Sequence, residues 1–180
     1  ALYFTPPGEA SAIKHPGRFM LQLSGSVLAQ WDGDERVAAL REFHAAGATD
    51  VTRLDVAVDF RGVAVELVEC AIRACEAGEL RRFKLWDVRR PVSAGRVVGL
   101  SVTCGRRGKY GGGREVCIYD KGLEQRSGAA NQWQRLESRF YAAFAGGAWA
   151  AIAEPGENGA NRMLAVGLGA IDFRPKGSTN

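Results

Sequence analysis

The stretch "DVTRLDVAVDF", residues 50 to 60, alternates apolar and polar side chains without interruption. One face of the alternation is apolar and consists of Leu54, Val56, Val58 and Phe60. The other face consists of Arg53, Asp55, Ala57 and Asp59. A period of two is typical of a β-strand that packs one face against a core and turns the other face outward. This segment is the clearest strand in the chain.

The segments around this strand alternate between helical and extended patterns. "DGDERVAALREFHAAGA" (32 to 48) and "VAVELVECAIRACEAGELRR" (63 to 82) have helical spacing. "RVVGLSVTCG" (96 to 105) and "REVCIYDKG" (114 to 122) are extended and joined by a glycine-rich loop, which predicts a hairpin. "QWQRLESRFYAAF" (132 to 144) fits a strand at its start, and "RMLAVGLGAIDF" (162 to 173) fits either a helix or a strand.

This order of elements predicts an α+β protein, with a mostly antiparallel sheet, helices on one face and an open polar face. "GRFMLQLSGSVLAQW" (17 to 31) adds a strand, or a strand and a turn. We expect an N-terminal segment over 1–16, the main domain over 17–150, and a C-terminal extension over 151–180 that packs on this domain or trails from it. The length of 180 residues fits one core.

Composition limits the classes of function. The chain has 46% hydrophobic and 24% charged residues and a formal net charge of +4, as in an ordinary globular protein. Arginine is concentrated between residues 81 and 114, which predicts affinity for a polyanion or, equally, a solvated charged face. The four cysteines form no CxxC pair and lie far from both histidines, so a zinc site is not expected. The chain also contains no membrane-length apolar run and no signal pattern, so we expect a reduced, cytoplasmic protein with no membrane partner.

Three predicted strands carry an unusual set of polar side chains. Alternation places them in three groups: Arg53, Asp55 and Asp59; Glu115, Cys117, Tyr119 and Lys121; and Arg135, Glu137 and Arg139. If helices cover the apolar side of the sheet, all three groups face the same way. Carboxylates from different strands can share Mg²⁺ or Mn²⁺, and arginines bind phosphate oxygens bidentately. The alternative interpretation is a wet sheet face on which these charges form cross-strand salt bridges.

Tyr119 decides between an enzyme and a simple binding surface. A tyrosine hydroxyl is a poor nucleophile unless a metal-bound phosphate is brought to it and a cation such as Lys121 favours the phenolate. Asp55 and Asp59 are about 13 Å apart along an ideal strand. Asp55 and Glu137 are therefore the better metal-binding pair.

The motifs occur in an order that resembles the replication initiation factor family, of the Rep_trans type, from rolling-circle plasmids and filamentous phages. The resemblance runs from about residue 17 to residue 145 and rests on R-x-D-x-A-x-D at 53 to 59, I-Y-D-K-G-x-E at 118 to 124, and R-x-E-x-R at 135 to 139. The family is related to relaxases of integrative elements. The resemblance implies a metal-dependent nicking and rejoining enzyme that forms a 5′-phosphotyrosyl link to one DNA strand, so that 17–150 would be the nicking domain.

The resemblance also implies roles for individual residues. Tyr119 matches the nucleophile and Lys121 the adjacent basic residue, while Asp55 and Glu137 match metal-binding carboxylates that would hold Mg²⁺ or Mn²⁺. Asp59 is a third candidate metal ligand. The expected DNA-binding residues are Arg53, Arg135, Arg139, Arg106, Arg107, Lys109 and Tyr110. The expected partner is single-stranded or locally melted DNA at a replication origin, and a host helicase and a second copy of the chain are further candidate partners.

Departures and alternatives remain. The segment before the tyrosine strand reads "CGRRGKYGG" (104 to 112) where family members often have Gly-Ser-Arg-x-Ser, so its loop contacts are not carried over. Tyr110 could stack on a base or replace Tyr119 as the nucleophile, and Tyr141 is a second rival. The competing functions are a non-catalytic nucleic-acid-binding domain, a metal-dependent phosphodiesterase that uses water, and a relaxase with the same tyrosine chemistry.

Overall fold

A computed structural model describes residues 2–4, 19–21, 28, 30–46, 51–62, 66–107, 113–125, 133–154 and 159–173. The strands are β1 (Leu2–Phe4), β2 (Phe19–Leu21), β3 (Arg53–Arg61), β4 (Trp86–Arg89), β5 (Val92–Ser93), β6 (Arg96–Val97), β7 (Ser101–Arg107), β8 (Gly113–Asp120) and β9 (Trp133–Tyr141). The helices are α1 (Gly33–Ala45), α2 (Leu67–Glu76), α3 (Lys121–Glu124), α4 (Ala143–Ala153) and α5 (Gly159–Gly169). None of the helices in these ranges has the length and apolar content of a membrane span.

A five-stranded sheet forms the centre of the fold. Its strand order is β3-β9-β8-β7-β4, and every neighbouring pair is antiparallel. The strands β1 and β2 form a separate two-stranded sheet, as do β5 and β6. Because β9 is inserted between β3 and β8, it brings together two strands that are about 60 residues apart in the chain. This insertion assembles the site described below.

The long helices cover the apolar face of the sheet. Val56 of β3 is buried and lies against α5, where a Cβ added to Gly167 would lie only 2.9 Å from Val56 Cγ1. The Ser138 hydroxyl donates a hydrogen bond of 2.6 Å to the Gly167 carbonyl, which satisfies a fully buried polar group. On the other half of the sheet, the thiol of Cys75 in α2 lies 3.7 Å from that of Cys104 in β7. The apolar side chains of the strands therefore form one core with these helices.

Helix ends show why the elements begin where they do. The side chain of Asp32 accepts from the backbone of Glu35, and the Glu35 side chain accepts from the backbone of Asp32, forming a capping box at α1. The buried carboxylate of Asp120 accepts from Leu123 N at 2.8 Å and caps α3. Strand β8 therefore ends at Asp120, and Lys121 is the first helical residue rather than part of the strand face that alternation predicts.

The predicted fold class is confirmed, with an α+β architecture and a mostly antiparallel sheet. The ambiguous segment 162–173 is helical up to Gly169, as part of α5, which packs on β3 and α4. The expected boundary at residue 150 falls inside α4. Strand β4 is not predicted from the sequence, because it has only four residues and lies, mostly exposed, at the sheet edge.

Candidate active site on the open sheet face

The polar side chains of β3, β9 and β8 share the face opposite the helices. Their register forms three rows across the sheet: Asp55, Arg139 and Glu115; Ala57, Glu137 and Cys117; Asp59, Arg135 and Tyr119. We call this surface the polar platform, and it extends at its ends to Arg53, Tyr141, Arg61 and Trp133. Glu137 lies in the middle row, opposite the small side chain of Ala57. The prediction that the three polar groups face the same way is therefore correct, except for Lys121.

Tyr119 lies beside a carboxylate. Its hydroxyl donates a hydrogen bond of 3.3 Å to Glu137 Oε2. The pKa of Tyr119 is raised to about 12. Burial is the largest cause, the negative charge of Glu137 adds to the increase, and the positive charge of Arg135 opposes it. The hydroxyl is therefore a neutral donor at physiological pH, and Glu137 is positioned to receive its proton.

Lys121 lies close to Tyr119 but forms an ion pair with a nearby carboxylate. Its ammonium lies 5.5 Å from the centroid of the Tyr119 ring and forms an ion pair with Glu124 one helical turn away. The Lys121 side chain is mostly buried. Its charge is therefore partly offset by Glu124, and it does not lower the pKa of Tyr119 below the ordinary value.

Each candidate metal ligand is hydrogen-bonded to an arginine. Arg53 binds Asp55 through two hydrogen bonds of 2.8 and 2.6 Å, and Arg139 Nε lies 2.7 Å from Glu137 Oε1. Both pairs join residues two apart on one strand, because such residues project from the same face. The alternative of cross-strand salt bridges is realised only in part, in the pair formed by Arg135 and Asp59.

Asp59 is the most firmly held of these carboxylates. It accepts two hydrogen bonds from Arg135, at 2.7 and 2.8 Å, and one of 2.9 Å from the indole of Trp133. Burial raises the pKa of Asp59, but the hydrogen bonds from Arg135 and Trp133 and the arginine charges outweigh it, so the pKa is lower than usual. Asp59 therefore stays ionised and orients Arg135 beside Tyr119.

The chemistry of this surface suits a hard divalent cation, although its carboxylates are engaged. Glu137 is a diagonal neighbour of both Asp55 and Asp59 in the register, at a spacing of about 7 to 8 Å between Cα atoms. Carboxylate oxygens are the ligands that Mg²⁺ and Mn²⁺ prefer. In the ranges that the structure describes, no group of three His, Cys, Asp or Glu side chains is arranged to hold a metal ion. A cation bound here would have to replace arginine contacts.

Tyr141 forms a second tyrosine–glutamate pair at the opposite end of the platform. Its hydroxyl donates a hydrogen bond of 2.8 Å to Glu115 Oε2, and Arg53 lies over its ring at 5.6 Å. Burial and then the bond to Glu115 raise its pKa. Tyr141 is only 6% exposed. Its packing therefore suits it less well than Tyr119 to approach a nucleic-acid phosphate.

One of the predicted basic residues before β8, Arg106, does not lie on the platform. Arg106 is opposite Arg114, whose guanidinium lies over Phe83 and Phe144 on the helix-covered side, so Arg106 belongs to that side of the sheet. Arg107 ends β7 opposite Gly113. Lys109 and Tyr110 lie outside the described residues, so their predicted contact with DNA stays a prediction.

Two residues at the end of the platform are not predicted from the sequence. Arg61 and Trp133 are opposite each other, and the Arg61 guanidinium carbon lies 4.0 Å from the centroid of the Trp133 ring. The signal was present in the sequence, because Arg61 follows Asp59 by two residues and Trp133 precedes Arg135 by two. Residues two apart on a strand share a face, so extending each alternation by one step would have found both.

Comparison with known proteins identifies a shared fold. No protein-family model and no curated protein matches the chain. The structure is similar to that of the Rolling Circle Replication Initiator Protein from Geobacillus stearothermophilus, with a TM-score of 0.55 and 23% sequence identity. The match covers 73% of this chain and 49% of the initiator, so the chain spans about half the length of the protein it matches. At this identity, the likeness establishes that the two proteins share a fold.

Proposed function

We propose that this protein is a rolling-circle replication initiator: a site- and strand-specific DNA nickase and ligase that forms a 5′-phosphotyrosyl intermediate through Tyr119. The observation that carries the proposal is the hydrogen bond from the Tyr119 hydroxyl to Glu137 on a sheet face rich in arginine. The fold shared with an initiator agrees with this function. A relaxase of an integrative or conjugative element would use the same chemistry.

The chain's own residues account for binding and proton transfer. Arginines of the platform neutralise phosphate charge, and Arg135 lies opposite Tyr119 in the register. The Tyr119 oxygen attacks the phosphorus while Glu137 takes the phenol proton. The bond between phosphorus and the 3′ oxygen breaks, and this oxygen receives a proton from Glu137 or from water. The products are a 5′-phosphotyrosyl link and a free 3′-hydroxyl, and the reverse reaction rejoins the strand.

We propose that Mg²⁺ or Mn²⁺ binds at Glu137 and Asp55, with Asp59 as the third candidate. The donor set is oxygen only and comes from neighbouring positions on two paired strands. A bound cation would supply positive charge that polarises a phosphate oxygen and favours the phenolate of Tyr119. Arg53 and Arg139 would then be released from Asp55 and Glu137 and could bind phosphate.

Formation of a covalent adduct tests the proposal. The full chain is incubated with Mn²⁺ and a labelled random library of single-stranded oligonucleotides, and complexes that resist denaturing detergent are counted. We expect an adduct with the natural chain and none with Tyr119→Phe. The matched control is Tyr141→Phe, because Tyr141 lies on the same face and also donates to a glutamate. An adduct that persists in Tyr119→Phe and disappears in Tyr141→Phe would overturn the assignment.

Two other functions give different results in the same assay. A non-catalytic nucleic-acid-binding domain is favoured by the arginine partners of the carboxylates, and it would bind single strands in a salt-sensitive manner without cleavage or any need for metal. A phosphodiesterase that uses water is favoured by the high pKa of Tyr119, about 12. Such an enzyme would cleave DNA but leave no adduct at any time point.

A further inference from the structure

Arg61 and Trp133 form a stacked pair at the end of the platform. The guanidinium carbon lies 4.0 Å from the centroid of the indole ring. The Trp133 Nε1 group donates a hydrogen bond of 2.9 Å to Asp59 Oδ1, which fixes the orientation of the indole. Asp59 also orients Arg135, so one carboxylate positions both the stacked pair and the arginine opposite Tyr119. The nicking chemistry proposed above uses neither Arg61 nor Trp133.

Arg61 differs from the other arginines of the platform. Arg53, Arg135 and Arg139 each bind a platform carboxylate, with a closest distance of 2.6 or 2.7 Å. Within the described ranges, Arg61 has no carboxylate at ion-pair distance, and its guanidinium is exposed on the ring of Trp133. A planar cation that lies over an aromatic ring and is otherwise exposed keeps its outer face and its N–H donors available to a ligand.

The pair is close to Tyr119. Trp133 is two residues along β9 from Arg135, which is opposite Tyr119. The register therefore makes Trp133 a diagonal neighbour of Tyr119, at about 7 to 8 Å between Cα atoms. A strand that crosses the platform with one phosphate at Tyr119 would place a neighbouring nucleotide over Arg61 and Trp133.

We propose that Arg61 and Trp133 form a subsite that binds one unstacked nucleobase beside the phosphate attacked by Tyr119. The base stacks on the outer face of the guanidinium, so that Arg61 lies between the base and the indole, and the edge of Arg61 donates to that nucleotide's phosphate. Stacking on an aromatic or guanidinium plane accepts any base, because every base has a π-face. The ligand is single-stranded, because the bases of a duplex are stacked on each other. This inference rests on the proposed function, in which a DNA strand crosses Tyr119.

The test separates the base from the backbone. Affinity is measured for two single strands of equal length and charge, an oligothymidylate and an oligomer of abasic nucleotides, at constant salt and with the full chain carrying Tyr119→Phe. We expect the oligothymidylate to bind about 5- to 150-fold more tightly than the abasic strand, because of this stack. Adding Trp133→Ala should remove that preference and leave the affinity for the abasic strand unchanged.

Variants of the pair distinguish stacking from structural support. Trp133→Phe keeps an aromatic ring but loses the hydrogen bond to Asp59, and it should restore most of the preference. Arg61→Lys should keep the salt dependence of binding and lose the preference, whereas Arg61→Ala should also reduce the salt slope by about one unit. The controls are Trp86→Ala and Arg73→Ala, two exposed residues away from the platform, which should leave both affinities unchanged.

The outcomes separate the subsite from the nicking chemistry. Loss of the base preference in Trp133→Ala supports the subsite even if the natural chain never forms a covalent adduct, because binding by Tyr119→Phe needs no chemistry. An equal loss of affinity for both strands in Trp133→Ala would assign the residue a structural role and overturn the subsite. Equal affinity for the two strands in the starting protein, or no binding of either strand, would also overturn it.

Discussion

The substitution Glu137→Gln tests how Tyr119 loses its proton. Glutamine can still accept the Tyr119 hydrogen bond, but it cannot take the proton. With a pKa of about 12, only about one Tyr119 side chain in ten thousand is a phenolate near pH 8 before a cation binds. Removing the charge of Glu137 lowers this pKa towards the ordinary value of about 10, while burial, the largest cause of the increase, remains. The phenolate fraction in the variant is then between about 10⁻⁴ and 10⁻² near pH 8.

The expected loss follows from these fractions. A protein base normally contributes about 10²- to 10⁴-fold to a rate, which agrees with the scarcity of the phenolate. We therefore expect adduct formation by Glu137→Gln to be about 10²- to 10⁴-fold slower near pH 8. The natural chain should be nearly independent of pH between about 7 and 9, whereas the variant should gain about tenfold per pH unit because it depends on pre-formed phenolate.

The assay is the single-turnover rate of adduct formation across this pH range, at a Mn²⁺ concentration that saturates the natural chain. Glu115→Gln is the matched control, since Glu115 accepts the corresponding hydrogen bond from Tyr141, and its rate should equal that of the natural chain. Parallel pH profiles for Glu137→Gln and the natural chain would refute the base assignment. Recovery of the variant at higher Mn²⁺ concentration, without a change in slope, would assign Glu137 to metal binding alone.

Three further predictions concern stability. The pKa of Asp59 is lowered in the folded state, so ionised Asp59 contributes stability above its unfolded pKa, and this stability is lost as pH falls through the folded pKa. Asp59→Asn should therefore weaken the pH dependence of the free energy of unfolding below about pH 4, measured by denaturant titration. The pKa of Tyr119 is raised to about 12, so neutral Tyr119 contributes stability below its unfolded pKa of about 10, and this stability is lost as pH rises towards 12. Tyr119→Phe should therefore reduce the loss of stability at alkaline pH, followed by circular dichroism. Gly105 has a φ of +86°, and an added Cβ would lie 2.6 Å from the Phe83 ring. Gly105→Ala should therefore lower the free energy of unfolding by about 1 to 3 kcal/mol. Gly147→Ala is the control and should not lower it, because a Cβ added there meets no atom within 4 Å.

Much of the platform could be predicted because strand periodicity is a local property. Alternation in "DVTRLDVAVDF" assigns Asp55 and Asp59 to one face whichever strand pairs with it, and the same holds for Tyr119 in β8 and Glu137 in β9. The hairpin of β7 and β8 is also local in the chain. Strand β4 alternates apolar and polar residues over only four positions, the shortest run that indicates a strand, and so it is not predicted.

The end of β8 and the side-chain partners on the platform could not be predicted in the same way. Alternation predicts Lys121 on the strand face, but the Asp120 cap ends β8 and makes Lys121 helical. Alternation also does not specify which arginine each carboxylate binds, since a partner along the same strand and a partner on the next strand are both within reach. Two of the three pairs join residues along one strand, and the third crosses to another strand. These choices depend on side-chain rotamers and on neighbours that the alternation does not specify.

The sequence by itself determined which side chains share a face, because successive residues of a strand point to opposite sides of the sheet. It also carried the three motifs on which the family resemblance rests. Only the tertiary structure decided that β9 lies between β3 and β8. That placement sets Glu137 against Tyr119, Asp59 against Arg135 and Arg61 against Trp133. The physical reason is that strand order and register follow from burying the apolar face of the whole sheet under the helices, which is a property of the complete core rather than of any one segment.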